Sequence, residues 1–134
     1  MSYRNQFELG IAEFNEGRYF ECHDTFEDLW MQERGERKRF LQGLIQGSVG
    51  VFHATRHNYT GAESQLTKSL TKLVEYPDMF LGIDVGGFRK GLEAFREFIR
   101  RSMASGNPTY DPDLIPHMNY SYDPATMSDL STED

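Results

Sequence analysis
Apolar residues recur along this chain at intervals of three and four, and no stretch of strand length alternates apolar with polar. That period is the signature of amphipathic helices packed on one face. Five segments carry it. The first holds Phe7, Ile11 and Phe14 and stops near Gly17. The second runs from about Arg18 to Gln32, and Gly35 separates it from a third, spanning about Glu36 to His57. The fourth opens at Thr60-Gly-Ala-Glu63, which reads as a capping box, continues through Leu66, Leu70 and Leu73, and ends before Pro77. Asp78 to Gly86 reads as a loop, with Asp84 as the N-cap of a fifth segment carrying Phe88, Leu92, Phe95 and Ile99 as far as Gly106. The expectation is an all-α fold, a compact bundle of about five helices.

The third segment fixes the arrangement. Phe40, Leu44 and Val51 fall on one side of it, and Leu41, Ile45 and Phe52 on another. A helix apolar over so wide an arc belongs at the centre of the bundle. Gly43, Gly47, Gly50 and Ala54 form a third, small-residue side. Each interior glycine costs about 1 kcal/mol relative to alanine, so the seam implies that another helix approaches closely there.

Polar residues interrupt this packing surface in two places. On the second segment His23 and Glu27 fall inside the apolar sector, one turn apart and flanked by aromatic rings, whereas Glu21, Asp24 and Asp28 point the other way. On the third, Gln42, Gln46 and His53 share a line with Val49, and Arg56 lies beside it. Buried polar groups need partners, at about 1–3 kcal/mol for each one left unpaired. The economical arrangement turns the two strips together, with Asn58 capping the last turn or closing the network.

Three readings of that strip compete. His23, Glu27, Gln42, Gln46, His53, Arg56 and Asn58 line a pocket for a small polar or anionic ligand, with Arg56 supplying charge. Alternatively His23, Glu27 and His53 ligate a divalent metal such as zinc, iron or manganese, the candidate cofactor of a metal-dependent enzyme. In the third, the strip is a structural hydrogen-bond network inside a helical interaction module. In an enzyme, His23 or His53 is the candidate general base, oriented by Glu27.

Composition narrows the setting. The chain has 134 residues, enough for one core, with ten Phe and seven Tyr to fill it. Its net charge of −7 is misleading. Six acidic residues and no Lys or Arg lie beyond Asn107, which leaves the first 106 residues at −1. A nucleic-acid partner would call for a positive excess on the domain, so none is expected. The basic run Arg34, Arg37, Lys38 and Arg39 reads as a solvated helix start. No apolar run approaches the roughly 18 residues that span a bilayer, and Met1 to Gly10 lacks a signal-peptide pattern. A single cysteine, Cys22, excludes an internal disulfide. The expected location is the cytoplasm. Residues 1–106 read as the helical domain and 107–134 as an acidic tail rich in Pro and Tyr, extended or partly disordered, whose tyrosines and Leu114-Ile115 can strap onto the body.

The pattern Phe14-Asn15-x-Gly17-x-Tyr19-Phe20-x-x-His23-Asp24-x-x-Glu27-x-x-Trp30, then Leu41-Gln42-Gly43-Leu44-Ile45-Gln46, His53 and Asn58, resembles a bacterial and archaeal family classed as domain of unknown function number 309. The resemblance runs from about Phe14 to Leu73. It implies an all-helical bundle with no assigned biochemical activity, and its motif positions coincide with the strip at His23, Glu27, Gln46 and His53. Where the family usually has Glu, this chain has Asp24, whose outward position makes the exchange neutral for the site.

Overall fold
A computed structural model describes residues 1–131. Its elements are α1 (Tyr3–Asn15), α2 (Tyr19–Gln32), α3 (Gly35–Thr55), α4 (Tyr59–Leu73), β1 (Met79–Phe80), β2 (Ile83–Asp84), α5 (Val85–Ala104) and the short α6 (Pro124–Met127). Single 3-10 turns follow at Pro112–Leu114 and Ser128–Ser131. The protein is a helical bundle in which α3 packs between α2 and α4, α1 lies against α2, and α5 against α4. Phe14 of α1 meets Phe88 of α5 edge to face at 5.4 Å, which closes the array around the centre. None of the helices among the described residues is long and apolar enough to cross a membrane.

The glycine seam of α3 does what its spacing implies, and its partner is α4. A Cβ on Gly50 would stand 2.7 Å from Leu66 Cγ, and one on Gly43 would stand 3.0 Å from Leu73 Cδ2. The Ser69 hydroxyl of α4 donates to the Gly43 carbonyl at 2.6 Å, a bond open only to helices this close. With α4 on the seam, α2 on the Leu41/Phe52 side and the core on the Phe40/Val51 side, one line of α3 is left over. Gln42, Gln46, Val49 and His53 occupy that line, and all four are half-buried.

Helix ends follow local chemistry, with one correction. Helices α1 and α5 stop in Schellman turns, with Gly17 and Gly106 at φ near 80°. The α3 terminus makes the same turn, Asn58 N–H donating to His53 O and His57 N–H to Ala54 O, yet its left-handed position is held by His57 at φ 61°. Asp84 caps α5 as expected, accepting from Gly87 N–H at 2.9 Å. The capping box at Thr60–Glu63 is not formed. Helix α4 begins two residues sooner than a Thr60 cap would set it, and Asn58 Oδ1 caps it by accepting from Gly61 N–H at 3.0 Å. Glu63 instead pairs with Arg100 of α5 at 2.6 Å.

The stretch read as a loop contains a hairpin. Met79 pairs with Asp84 and Phe80 with Ile83 across a two-residue turn, Leu81-Gly82, in which both residues have positive φ. A turn of that kind matches the twist of the strands. Residues 107–131 then return across the bundle. Tyr120 bridges to Ile83, Asp84 N–H donates to Asn119 O, and Ser121 N–H donates to Gly82 O. Met118, Met127 and Leu130 are buried, and Arg37 of α3 holds Asp129 at 2.8 Å. Another member of the basic run, Arg39, clasps Glu75 through two nitrogens, and Lys38 sits 4.2 Å over the Trp30 ring. That indole is only partly buried against the core.

Candidate functional site
Helix α2 buries Cys22, Phe26 and Leu29, so the residues one step round from that face stand at the margin of the α2–α3 contact. Those residues are Tyr19, Phe20, His23 and Glu27. The two helices are joined through only Glu33 and Arg34 and run back along each other. The first turns of α2 therefore lie beside the last turns of α3. Between them is a cavity of about 200 Å³, lined by Tyr19, Phe20 and His23 from α2 and by Val49, Phe52 and His53 from α3. The two imidazoles singled out in the sequence thus share one cavity.

Its walls are almost wholly apolar. The Phe20 and Phe52 rings meet at 5.6 Å with a 54° tilt, and Phe20 is 52% exposed, unusual for so large an apolar side chain. Burial, then the nearby Tyr110 and Cys22, raises the Tyr19 phenol above its ordinary range. Cys22 lies on the inner side of α2, and burial pushes its thiol well up, away from nucleophilic use.

His23 is clasped along its own helix. Its Nε2 is 3.0 Å from Glu27 Oε2, and its Nδ1 is 3.2 Å from Asp24 Oδ1. Asp24 does point outward, being 61% exposed, but it still reaches the imidazole. Glu27 is 46% exposed and sits at the rim. Across the cleft, His53 Nδ1 is 3.5 Å from Asn58 Nδ2.

The remaining strip residues do not join one network. Gln46 turns toward α4, where its Oε1 accepts from Lys72 Nζ at 2.8 Å. Burial, the main cause, holds that ammonium below the usual lysine range. Gln42 is half-buried on the same line of α3 and makes no hydrogen bond to another strip residue among the described residues. Arg56 is exposed, its guanidinium 5.9 Å from the Phe52 ring centroid, and it does not line the cavity. The hydrogen-bond network expected between α2 and α3 is thus divided into His23–Glu27 on α2, Gln46–Lys72 between α3 and α4, and His53–Asn58 at the end of α3. The reason is geometric. The strip follows the outer, half-buried line of α3, where Gln46 and His53 find partners on α4 and at the helix end rather than on α2.

The metal reading fares no better. Among the described residues, no three His, Cys, Asp or Glu side chains converge as a metal-holding group. His23, Glu27 and His53 therefore do not form the three-ligand set that their spacing suggested.

Sequence reasoning passed over the walls. Tyr19, Phe20, Val49 and Phe52 read as ordinary flanking hydrophobes. The available signal was Phe20, which falls about 120° from the centre of the buried face of α2 at 100° per residue, beyond Glu27.

Residues 7–65 match a family model described as "Domain of unknown function (DUF309)". Over that segment the resemblance carried by Phe14, His23, Glu27, Trp30 and His53 is borne out. An uncharacterized protein of Bacillus subtilis (strain 168), YpuF, is 37% identical over 62 residues, which make up 45% of this chain and 36% of that one. An uncharacterized protein of Aquifex aeolicus (strain VF5) is 25% identical over 96 residues, 71% of this chain and 28% of that one. The chain spans about a third or less of the length of these curated relatives. Both α2 and α3, and so the whole lining of the cavity, lie inside the segment that matches the family.

Proposed function
Starting from a chain whose residues 7–65 carry the DUF309 domain, we propose that it binds a small molecule in the α2–α3 cavity. The observation that carries this reading is the meeting of His23 and His53, from different helices, on one aromatic-walled cavity. About 200 Å³ is room for a compact body; a cavity of about 150 Å³ lined by apolar side chains holds benzene. The ligand's body lies among Tyr19, Phe20 and Phe52, and its polar edge meets the imidazoles, each able to donate or accept. The sequence pointed to a polar or anionic ligand. With Arg56 outside the lining and the walls apolar, an apolar body with one polar edge suits the cavity better.

An enzymatic use would draw on the same groups, the His23–Glu27 pair acting as base toward a bound molecule. The half-exposed state of the strip speaks against a purely structural network, which gains most when buried. The same reading assigns the protein to the cytoplasm, supported by a single thiol that is buried and unpaired.

A fragment screen read by NMR of ring-labelled histidines tests the reading. Small ring-bearing molecules should shift His23 and His53 together and leave exposed His117 unmoved. Val49→Phe, which fills the cavity, should abolish both shifts. If no fragment moves His23 and His53 as a pair, the ligand-binding reading fails.

A further inference from the structure
We propose that the occupant of the α2–α3 cavity is a small organic cation, a quaternary or protonated amine, held by aromatic faces and the Glu27 carboxylate; this rests on the ligand-binding reading above. The faces of Tyr19, Phe20 and Phe52 are electron-rich, and rings set around a cavity attract a cation whose shell of carbon keeps its desolvation cheap. A trimethylammonium-sized head has the compact shape that the cavity admits.

Charge on α2 points the same way. Several carboxylates elsewhere are neutralised by arginine, as in Arg4–Glu8, Arg39–Glu75 and Arg100–Glu63. Glu27, at the rim, has no Lys or Arg ion pair among the described residues, its contact being with His23 alone. Glu27 engages His23, which lines the cavity, through Oε2, so Oε1 is the oxygen this proposal assigns to the ligand. Arg56 is the opposing charge, and its position is informative. Its guanidinium, with no carboxylate partner among the described residues, rests near the Phe52 ring, so this aromatic edge already takes a cation from the protein itself. An anion-binding site would instead aim that arginine into the cavity.

Three probes sharing one branched head separate the alternatives: choline, its neutral isostere 3,3-dimethylbutan-1-ol, and 3,3-dimethylbutanoate. Titrations followed by NMR of the full chain should show choline saturating one site at Phe20 and Phe52. Its Kd should be lower than that of the neutral isostere by about tenfold, the scale of a partly desolvated cation–π contact. Glu27→Gln and Phe52→Leu, each checked for an unchanged fold by circular dichroism, should weaken choline severalfold. Arg56→Gln should leave its binding equal or tighter, since a competing charge is removed. The proposal is overturned if the alcohol binds as well as choline, if the carboxylate binds better, if Arg56→Gln weakens choline, or if choline does not bind. Binding of the alcohol or the carboxylate alone would retire the cation while keeping the cavity as a ligand site. With no response to any probe the cation falls, and the cavity then stands or falls by the histidine screen.

Discussion
Asn15 grips the backbone of Met118 from both sides of its carboxamide, donating through Nδ2 to Met118 O at 3.0 Å and accepting from Met118 N–H at 2.7 Å. These residues stand 103 positions apart. The pair fastens the returning strap to the end of α1, and Asn15 lies inside the family segment while Met118 lies outside it. Just beyond, Tyr120 donates its hydroxyl to Glu8 and packs its ring edge to face on Phe7.

Asn15→Ala therefore removes two hydrogen bonds and strands both backbone groups of a buried residue. The expected loss is about 1–3 kcal/mol, read as a lower urea midpoint. Amide exchange at Asp84 and Ser121, whose N–H groups bond across the strap, should quicken more than exchange in the middle of α3, because the strap opens before the bundle does. An unchanged midpoint together with unchanged strap exchange would show that Asn15 is not what fastens it.

Glu27→Gln separates function from stability at the cavity rim. The carboxylate is nearly half exposed and contacts His23 one turn away on the same helix. Pairs of this kind contribute about 0.3–0.5 kcal/mol, so the melting temperature should move by no more than about 2 °C. A drop of about 10 °C would mean that the α2–α3 strip is structural after all.

The sequence announced the bundle because its signals were local and periodic. Phe7, Ile11 and Phe14 need only helical spacing to be recognised, and Gly43, Gly47 and Gly50 advertise a close neighbour without naming it. His23 and His53 were legible as polar residues near packing faces, and they do meet one cavity. The partners were not legible. Whether Gln46 answers to α2 or to Lys72 on α4 depends on where neighbouring helices diverge, a tertiary fact that no wheel contains. The strap was hidden for the same reason: Asn15 and Met118, or Arg37 and Asp129, find each other only after the chain has folded back. Strands of two residues, as in the Leu81-Gly82 hairpin, are too short for a period of two to register.

His57 carries a conformational cost that glycine would relieve. It holds the left-handed position closing α3 at φ 61°, the role that Gly17 and Gly106 perform elsewhere. A non-glycine residue there costs about 1–2 kcal/mol, against about 0.5–1 kcal/mol for the extra unfolded-state freedom of glycine. His57→Gly should therefore stabilise the protein by about 0.5–1 kcal/mol, or about 2–4 °C in melting temperature. His57→Ala retains a Cβ and should bring no gain. Its loss of the exposed contact from His57 Nδ1 to the Tyr59 hydroxyl, 2.9 Å, is a minor debit common to both variants. If the two substitutions behave alike, backbone strain is not the operative effect.

The latch at the far end of the strap should weaken in acid. Hydrogen bonding from the Arg37 guanidinium, then the attraction of its charge, holds the Asp129 carboxyl below the ordinary aspartate value of 3.8. A carboxyl depressed in the folded state stabilises that state above its unfolded value, and the contribution disappears as pH falls through the folded one. The latch is therefore complete at neutral pH and fades below about 3.8. Asp129 is 61% exposed, so the effect is local rather than global. Methyl resonances of Leu130, buried beside it, should show a titration step below that pH while the core methyls of Leu44 hold still. Arg37→Gln should move the step up toward the ordinary aspartate range, and salt should shrink the difference between the two proteins. An identical step with and without Arg37 would show that the guanidinium is not what holds the carboxylate.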